Sequence, residues 1–162
     1  MEEDLITNLL VLQSHLDVML DRMQSNNITL RRFQMFEMGL LSLNSLAEML
    51  EYVLNSQDFF EHDYIGFCLI DAKNELKKYL SEDGFDIEAK PRLVIFENNE
   101  LMRSSFGRSV RPYIGPYNPE KHANYFVVDQ HKLASVTVIP LIRKGRLMGA
   151  LCLGSFDPDR FV

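Results

Sequence analysis

Residues 135–155 hold two apolar runs, Ser135–Ile142 and Leu147–Ser155, joined by the short charged turn Arg143-Lys144-Gly145-Arg146. That pattern predicts a β-hairpin with a polar tip. The first run is rich in β-branched residues, which suit a pleated surface. The second carries Gly149 and Gly154, which predict a close backbone approach or a bulge. The hairpin closes a sheet, so the remaining strands must lie upstream of it.

The chain's punctuation is asymmetric. Its first proline is Pro91, and only Gly39, Gly66 and Gly84 precede it among glycines. The N-terminal third can therefore be mostly helix, with strand and loop after it. Leu5, Leu9, Leu12, Leu16, Met19 and Met23 recur at alternating spacings of four and three, a heptad seam. Glu2, Glu3 and Asp4 suit the positive end of a helix dipole. The seam continues in register through Asn26 to Leu30 and Phe33, and Gln24-Ser25-Asn26-Asn27 interrupts it. Either the helix breaks there and a second begins near Ile28, or one helix runs on with Asn26 in its seam. No Gly or Pro enforces a break; two helices with a short kink is the expectation adopted. The stripe is narrow, with Gln13, Asp17 and Asp21 on its flanks. It fits a partner helix, including a second copy, as well as it fits packing onto its own domain.

Ser45-Leu46-Ala47-Glu48 is a capping-box pattern ahead of apolar Leu46, Met49, Leu50, Val53 and Leu54. That helix should end between Asn55 and Phe60. Tyr64–Asp71 predicts a buried first strand and Leu93–Phe96 a second. Glu100–Arg108 predicts a short helix, Val110–Asn124 a loop, and Tyr125–Val128 a third strand. The order implies an α+β domain whose mainly antiparallel sheet is covered by helices.

Hydrophobic residues make up 46% of the 162 and charged residues 25%, so one domain can bury a real core. A net charge of −6 argues against a nucleic-acid surface and against anionic membrane. No apolar run approaches the ~20 residues of a membrane span. The acidic start Met1-Glu2-Glu3-Asp4 is unlike a signal peptide. With only Cys68 and Cys152, both inside apolar runs, a reducing cytoplasm is the expected compartment.

The strand Tyr64–Asp71, the hairpin with Leu141 following Pro140, and the ending Leu153-Gly154-Ser155-Phe156-Asp157-Pro158-Asp159-Arg160-Phe161 together resemble a GAF-like domain. They are most similar to a bacterial GAF-fold family of unknown function with an L-G-S-x-D-P-x-R-F ending. The resemblance covers about residues 30–162 and implies an antiparallel sheet of five to six strands flanked by helices, here behind an N-terminal heptad helix. It divides the chain into a dimerisation or signalling helix, 1–27, and a sensory domain, 28–162. Relatives of this kind often precede a GGDEF diguanylate cyclase domain. A helix that carries the signal onward would begin after Asp157-Pro158. The resemblance thus implies a non-catalytic regulatory fragment controlling an output domain, a diguanylate cyclase being the one implied.

Residues for chemistry are few. No Ser-His-Asp order, His-Glu-x-x-His, Cys-x-x-Cys or phosphate-cradling glycine loop is present. His15 reads as a solvated helix flank and His62 as exposed. His122, Asp129 and His131 are metal ligands by type, but loop and strand-end polarity explains them better, and no metal is assigned. Some GAF-fold enzymes reduce free methionine sulfoxide with loop cysteines. Cys68 and Cys152 sit in strand runs instead and read as buried structural thiols, close together if the first and last strands pair. No bilin-attachment or cyclic-nucleotide motif is present, and the cofactor is unknown. The resemblance puts a ligand pocket under the irregular segment before the hairpin. There Arg111, Tyr113, Tyr117 and Tyr125 are the candidate ligand-binding residues, Arg111 for an anionic group. A packed surface loop with tyrosines shielding the core is the plainer alternative. The expected partners are a second copy through the N-terminal helix and a small molecule. A ligand-free dimerisation module is the competing function.

Overall fold

The structure, a computed structural model, describes residues 1–57 and 62–162. It forms two compact units, 1–43 and 44–162. The division thus follows Leu43, whereas the expected one followed residue 27.

The first unit is one helix, α1 (Glu2–Leu41). It runs through residues 24–27 without interruption, so the expected kink is absent. The physical reason is a difference of scale. Ser and Asn cost only ~0.5 kcal/mol each inside a helix, whereas a break strands up to four N–H and four C=O groups. The Thr29 hydroxyl donates to the Ser25 carbonyl at 3.0 Å, so its side chain is satisfied within the continuous helix.

The second unit opens with α2 (Leu46–Leu54). Its Ser45 cap forms, the Glu48 N–H donating to Ser45 Oγ at 3.2 Å; the Glu48 carboxylate reaches one residue further back than a capping box and accepts from the Asn44 N–H at 2.9 Å. The helix buries Ala47, Leu50, Val53 and Leu54. It ends just before the expected interval, of which residues 58–60 lie outside the described residues.

Then follow β1 (Tyr64–Ile70), α3 (Glu75–Glu82), β2 (Leu93–Phe96), α4 (Glu100–Phe106), β3 (Tyr113–Pro116), α5 (Pro119–His122), β4 (Ser135–Arg143) and β5 (Arg146–Ser155). The five strands make one sheet in the order β2-β1-β5-β4-β3. The sheet is mixed: β1 and β2 pair in parallel, with Phe67 opposite Leu93, and the other pairs are antiparallel. The sheet is mainly antiparallel, as expected, and the one parallel pair sits at this edge, where α3 provides the crossover that a parallel pair requires. Asp71, buried at the exit of β1, accepts from the Leu76 and Lys77 N–H groups and so caps α3.

The hairpin is as expected. Lys144 and Gly145 both take positive φ, 51° and 77°, which a two-residue I′ turn requires. A register shift at Leu141/Ile142 bulges β5 beside Gly149.

Two strand assignments change. Residues 113–116 form β3, an edge strand that tolerates Pro116 at its end. Tyr125–Val128 form no strand. The Tyr125 and Phe126 N–H groups turn back to the His122 carbonyl and close the end of α5. A short apolar run does not by itself distinguish a strand from a buried turn.

One face of the sheet carries the main core, which includes Tyr64, Cys68, Met102, Tyr125, Phe126, Val136, Val138 and Cys152. Ile65 and Phe67 alternate onto the other face and are also buried. After β5 no helix starts at Pro158. The Asp159 N–H donates to Asp157 Oδ1, and Phe161 is buried with its ring 5.6 Å from that of His62. His62 is thereby half-buried rather than exposed.

Candidate functional site

The segment 111–125 is shaped by α5. Asn118 caps it, accepting from the Glu120 N–H at 3.0 Å, and Pro119 takes its first position. One turn later His122 is buried. Its Nδ1 accepts from the Asn118 N–H at 2.9 Å, so the proton of the neutral ring sits on Nε2. Burial, and then the Lys121 charge, hold its pKa below the ordinary value. The Tyr113 ring lies 4.5 Å from that of His122 and the Tyr117 ring 5.9 Å. Tyr117 meets Phe126 edge-on at 6.0 Å.

Tyr125, buried, hydrogen-bonds through its hydroxyl to that of Ser105 and so ties the end of α5 to α4. Burial pushes its pKa up to about 12, and the phenol stays protonated. Beside this pair opens a cleft of about 160 Å³. Phe96 and Leu101 give it apolar walls; Ser104, Ser105, Asn124, Lys121 and Glu120 supply hydroxyl, amide, cationic and anionic groups. A smaller cavity of about 50 Å³ touches Tyr113, His122, Tyr125 and Val138. The larger space is well under the ~300 Å³ at which drug-sized ligand sites begin.

Of the four candidate residues, Tyr113 and Tyr125 therefore meet around these spaces. Tyr117 turns into the core cluster, where burial raises its pKa. Arg111 is exposed and lines neither space. The groups that sequence reasoning missed are Ser104, Ser105 and Lys121. They stand on α4 and α5 as ordinary surface-helix residues, and no local pattern marks them.

Cys68 and Cys152 do come together, Sγ to Sγ 3.9 Å, on the paired strands β1 and β5. Both are fully buried free thiols, and burial pushes that of Cys152 up, away from the thiolate that catalysis requires. His122, Asp129 and His131 are not brought together: among the described residues no group of three ligands could hold a metal.

Taken by itself, α1 carries the other candidate surface. Leu5, Leu9, Leu12, Leu16, Met19 and Met23 are each 51–62% exposed. The apolar band is broader than the expected narrow stripe, because Ile6 and Leu20 are exposed along one side of it; Leu10, Val11 and Val18 lie behind it. No helix among the described residues is long and apolar enough to cross a membrane.

No protein-family profile matches the chain, and no curated protein matches it.

Proposed function

We propose that this chain is a regulatory module in which α1 pairs with a second copy and a GAF-like α+β unit follows. Pairing brings two attached output domains together; a diguanylate cyclase, which condenses two nucleotides across two subunits, is the output the sequence resemblance favours. The observation that carries this reading is the exposed apolar seam of α1 from Leu5 to Met23. Monomeric proteins rarely leave contiguous apolar surface of that extent in water. The test is the double substitution Leu12→Glu and Leu16→Glu, read by light scattering on the whole chain. The expected outcome is a shift from dimer to monomer, with the melting of the α+β unit changed by less than about 0.5 kcal/mol. A wild-type monomer at micromolar concentration would sink the reading.

The cleft beside Tyr125 favours a second reading, ligand sensing. Its hydroxyls, Asn124 amide, Lys121 ammonium and Glu120 carboxylate suit a small polar molecule that carries both an anionic and a cationic group. Native mass spectrometry of the purified chain tests it: an added small-molecule mass that is lost in a Lys121→Ala variant supports sensing, and bare protein at every concentration of added metabolites opposes it. A ligand acts as a signal only if it binds two states unequally.

A further inference from the structure

Because α1 is continuous, its seam reads as two alternating sets at seven-residue spacing. Leu5, Leu12, Met19, Asn26 and Phe33 form one; Leu9, Leu16, Met23 and Leu30 form the other. All of these side chains are exposed on α1. Had the helix broken at residues 24–27, Asn26 would be a capping residue outside the seam. Instead it is the one polar member of the stripe. We infer that two copies of the chain pair in parallel and in register along α1, with Asn26 of each copy facing Asn26 of the other.

The choice of orientation follows from which sets meet. In an antiparallel pair the two sets face each other. Registers that place Asn26 inside the paired length set it against Leu9, Leu16, Met23 or Leu30, and a desolvated amide is left without a partner; the register that pairs Leu5 with Met23 sets it against Glu2 at the end and leaves Leu30 and Phe33 uncovered. In a parallel, in-register pair each position meets its own copy. The two Asn26 amides then donate to and accept from one another, and any shifted parallel register breaks that pair. A second copy is the occupant that supplies this partner at the right height without further assumption. From Leu5 to Phe33 the seam is about 42 Å long. Covering its apolar members in both copies removes on the order of 1,500 Å² from water, within the range of specific interfaces.

Charge points the other way but weakly. Parallel pairing sets Glu2, Glu3 and Asp4 near their own copies, and antiparallel pairing would bring them toward Arg31. These groups are exposed, where water and salt screen both effects. The buried amide decides. Parallel pairing also starts both α+β units from the same end of the paired helices.

This inference rests on the pairing proposed above, and the test separates the two. In the whole chain, Thr7→Cys gives a single exposed labelling position, while the native Cys68 and Cys152 stay fully buried. Interspin distances between nitroxides at position 7 are then measured. Parallel pairing gives one distance under about 30 Å, whereas an antiparallel register that covers Asn26 adds an axial offset of about 30 Å or more and puts the distance beyond about 40 Å, and the register that pairs Leu5 with Met23 adds about 21 Å and puts it at about 35 Å. No dipolar signal means no pairing, and the earlier proposal fails. A long distance keeps the dimer and overturns the orientation. The same measurement with Asn26→Leu added is expected to broaden or split the distribution. A short distance unchanged by Asn26→Leu would overturn Asn26 as the group that sets register.

Discussion

Gly149 faces the Cys68 carbonyl across the β1–β5 pair, and a Cβ built there would lie 2.3 Å from that oxygen. The contact is with backbone, so nothing flexible can yield. Gly149→Ala is expected to destabilise the protein by about 2–3 kcal/mol, read as a lower urea midpoint at unchanged slope. Close approach at this glycine was legible in the sequence, from its place inside an apolar strand run. Gly154 has a softer neighbour, the Leu133 side chain at 2.7 Å. His122 shows the opposite case, since its burial had no signal in a Pro- and Asn-rich stretch. Its folded pKa lies below the ordinary histidine value of about 6.5, through burial first and Lys121 second. Below pH about 6.5 the unfolded chain binds this proton and the folded one resists it. The stabilisation is thus complete above 6.5 and is lost as pH falls through the lowered folded value. His62 shifts in the same direction, through burial and then Arg160. The urea midpoint should therefore fall as pH drops below about 6.5. A His122→Gln protein, weaker at neutral pH, should lose less over that fall; an equal loss would refute the role given to His122.

At the scale of elements, the strongest local signals produced the right structures. The α2 side-chain cap forms as Ser45 dictates, and Ser45→Ala should cost about 1 kcal/mol in thermal or chemical unfolding, since a first-turn N–H loses its acceptor. The hairpin and its turn form because apolar alternation, β-branching and a Lys-Gly pair at positive φ all agree. Where local signals conflict, tertiary context decides. Tyr113–Pro116 looks like a loop because it holds Gly115 and Pro116, yet it finds an edge of the sheet where a missing N–H costs little. Tyr125–Val128 looks like a strand because it is apolar. Its first two residues are instead buried in a turn, with their N–H groups satisfied by His122. In α1, a polar cluster looks like a break, and cooperativity carries the helix across it.

At the scale of the whole chain, the ending 153–161 acts as a clasp for the second unit. The Asp63 carboxylate accepts from Ser155 Oγ at 3.2 Å and from the Phe156 N–H at 2.7 Å. Ser135 Oγ donates to the Asp157 carbonyl at 2.6 Å and accepts from the Phe161 N–H. These bonds join the entry of β1, the start of β4 and the tail after β5, segments far apart in sequence. Asp63→Ala should cost about 1.5–3 kcal/mol, the range for hydrogen bonds to a charged group. It should also speed trypsin cleavage after Arg160; an unchanged digestion rate would show that the clasp does not hold the tail.

The sequence by itself determined the α+β class, the helical character of the N-terminal segment with its apolar seam, the α2 cap and the closing hairpin. Each rests on periodicity, capping or turn chemistry within a short window, where neighbouring residues supply the energetic preference. Only the tertiary structure decided that β2 runs parallel to β1, that 113–116 is a strand, and that Ser105 and Tyr125 join α4 to α5 beside a small cleft. The same holds for the 3.9 Å approach of Cys68 and Cys152. These features depend on partners distant in the chain. Their energy comes from long-range pairing and burial, which no local window of residues contains.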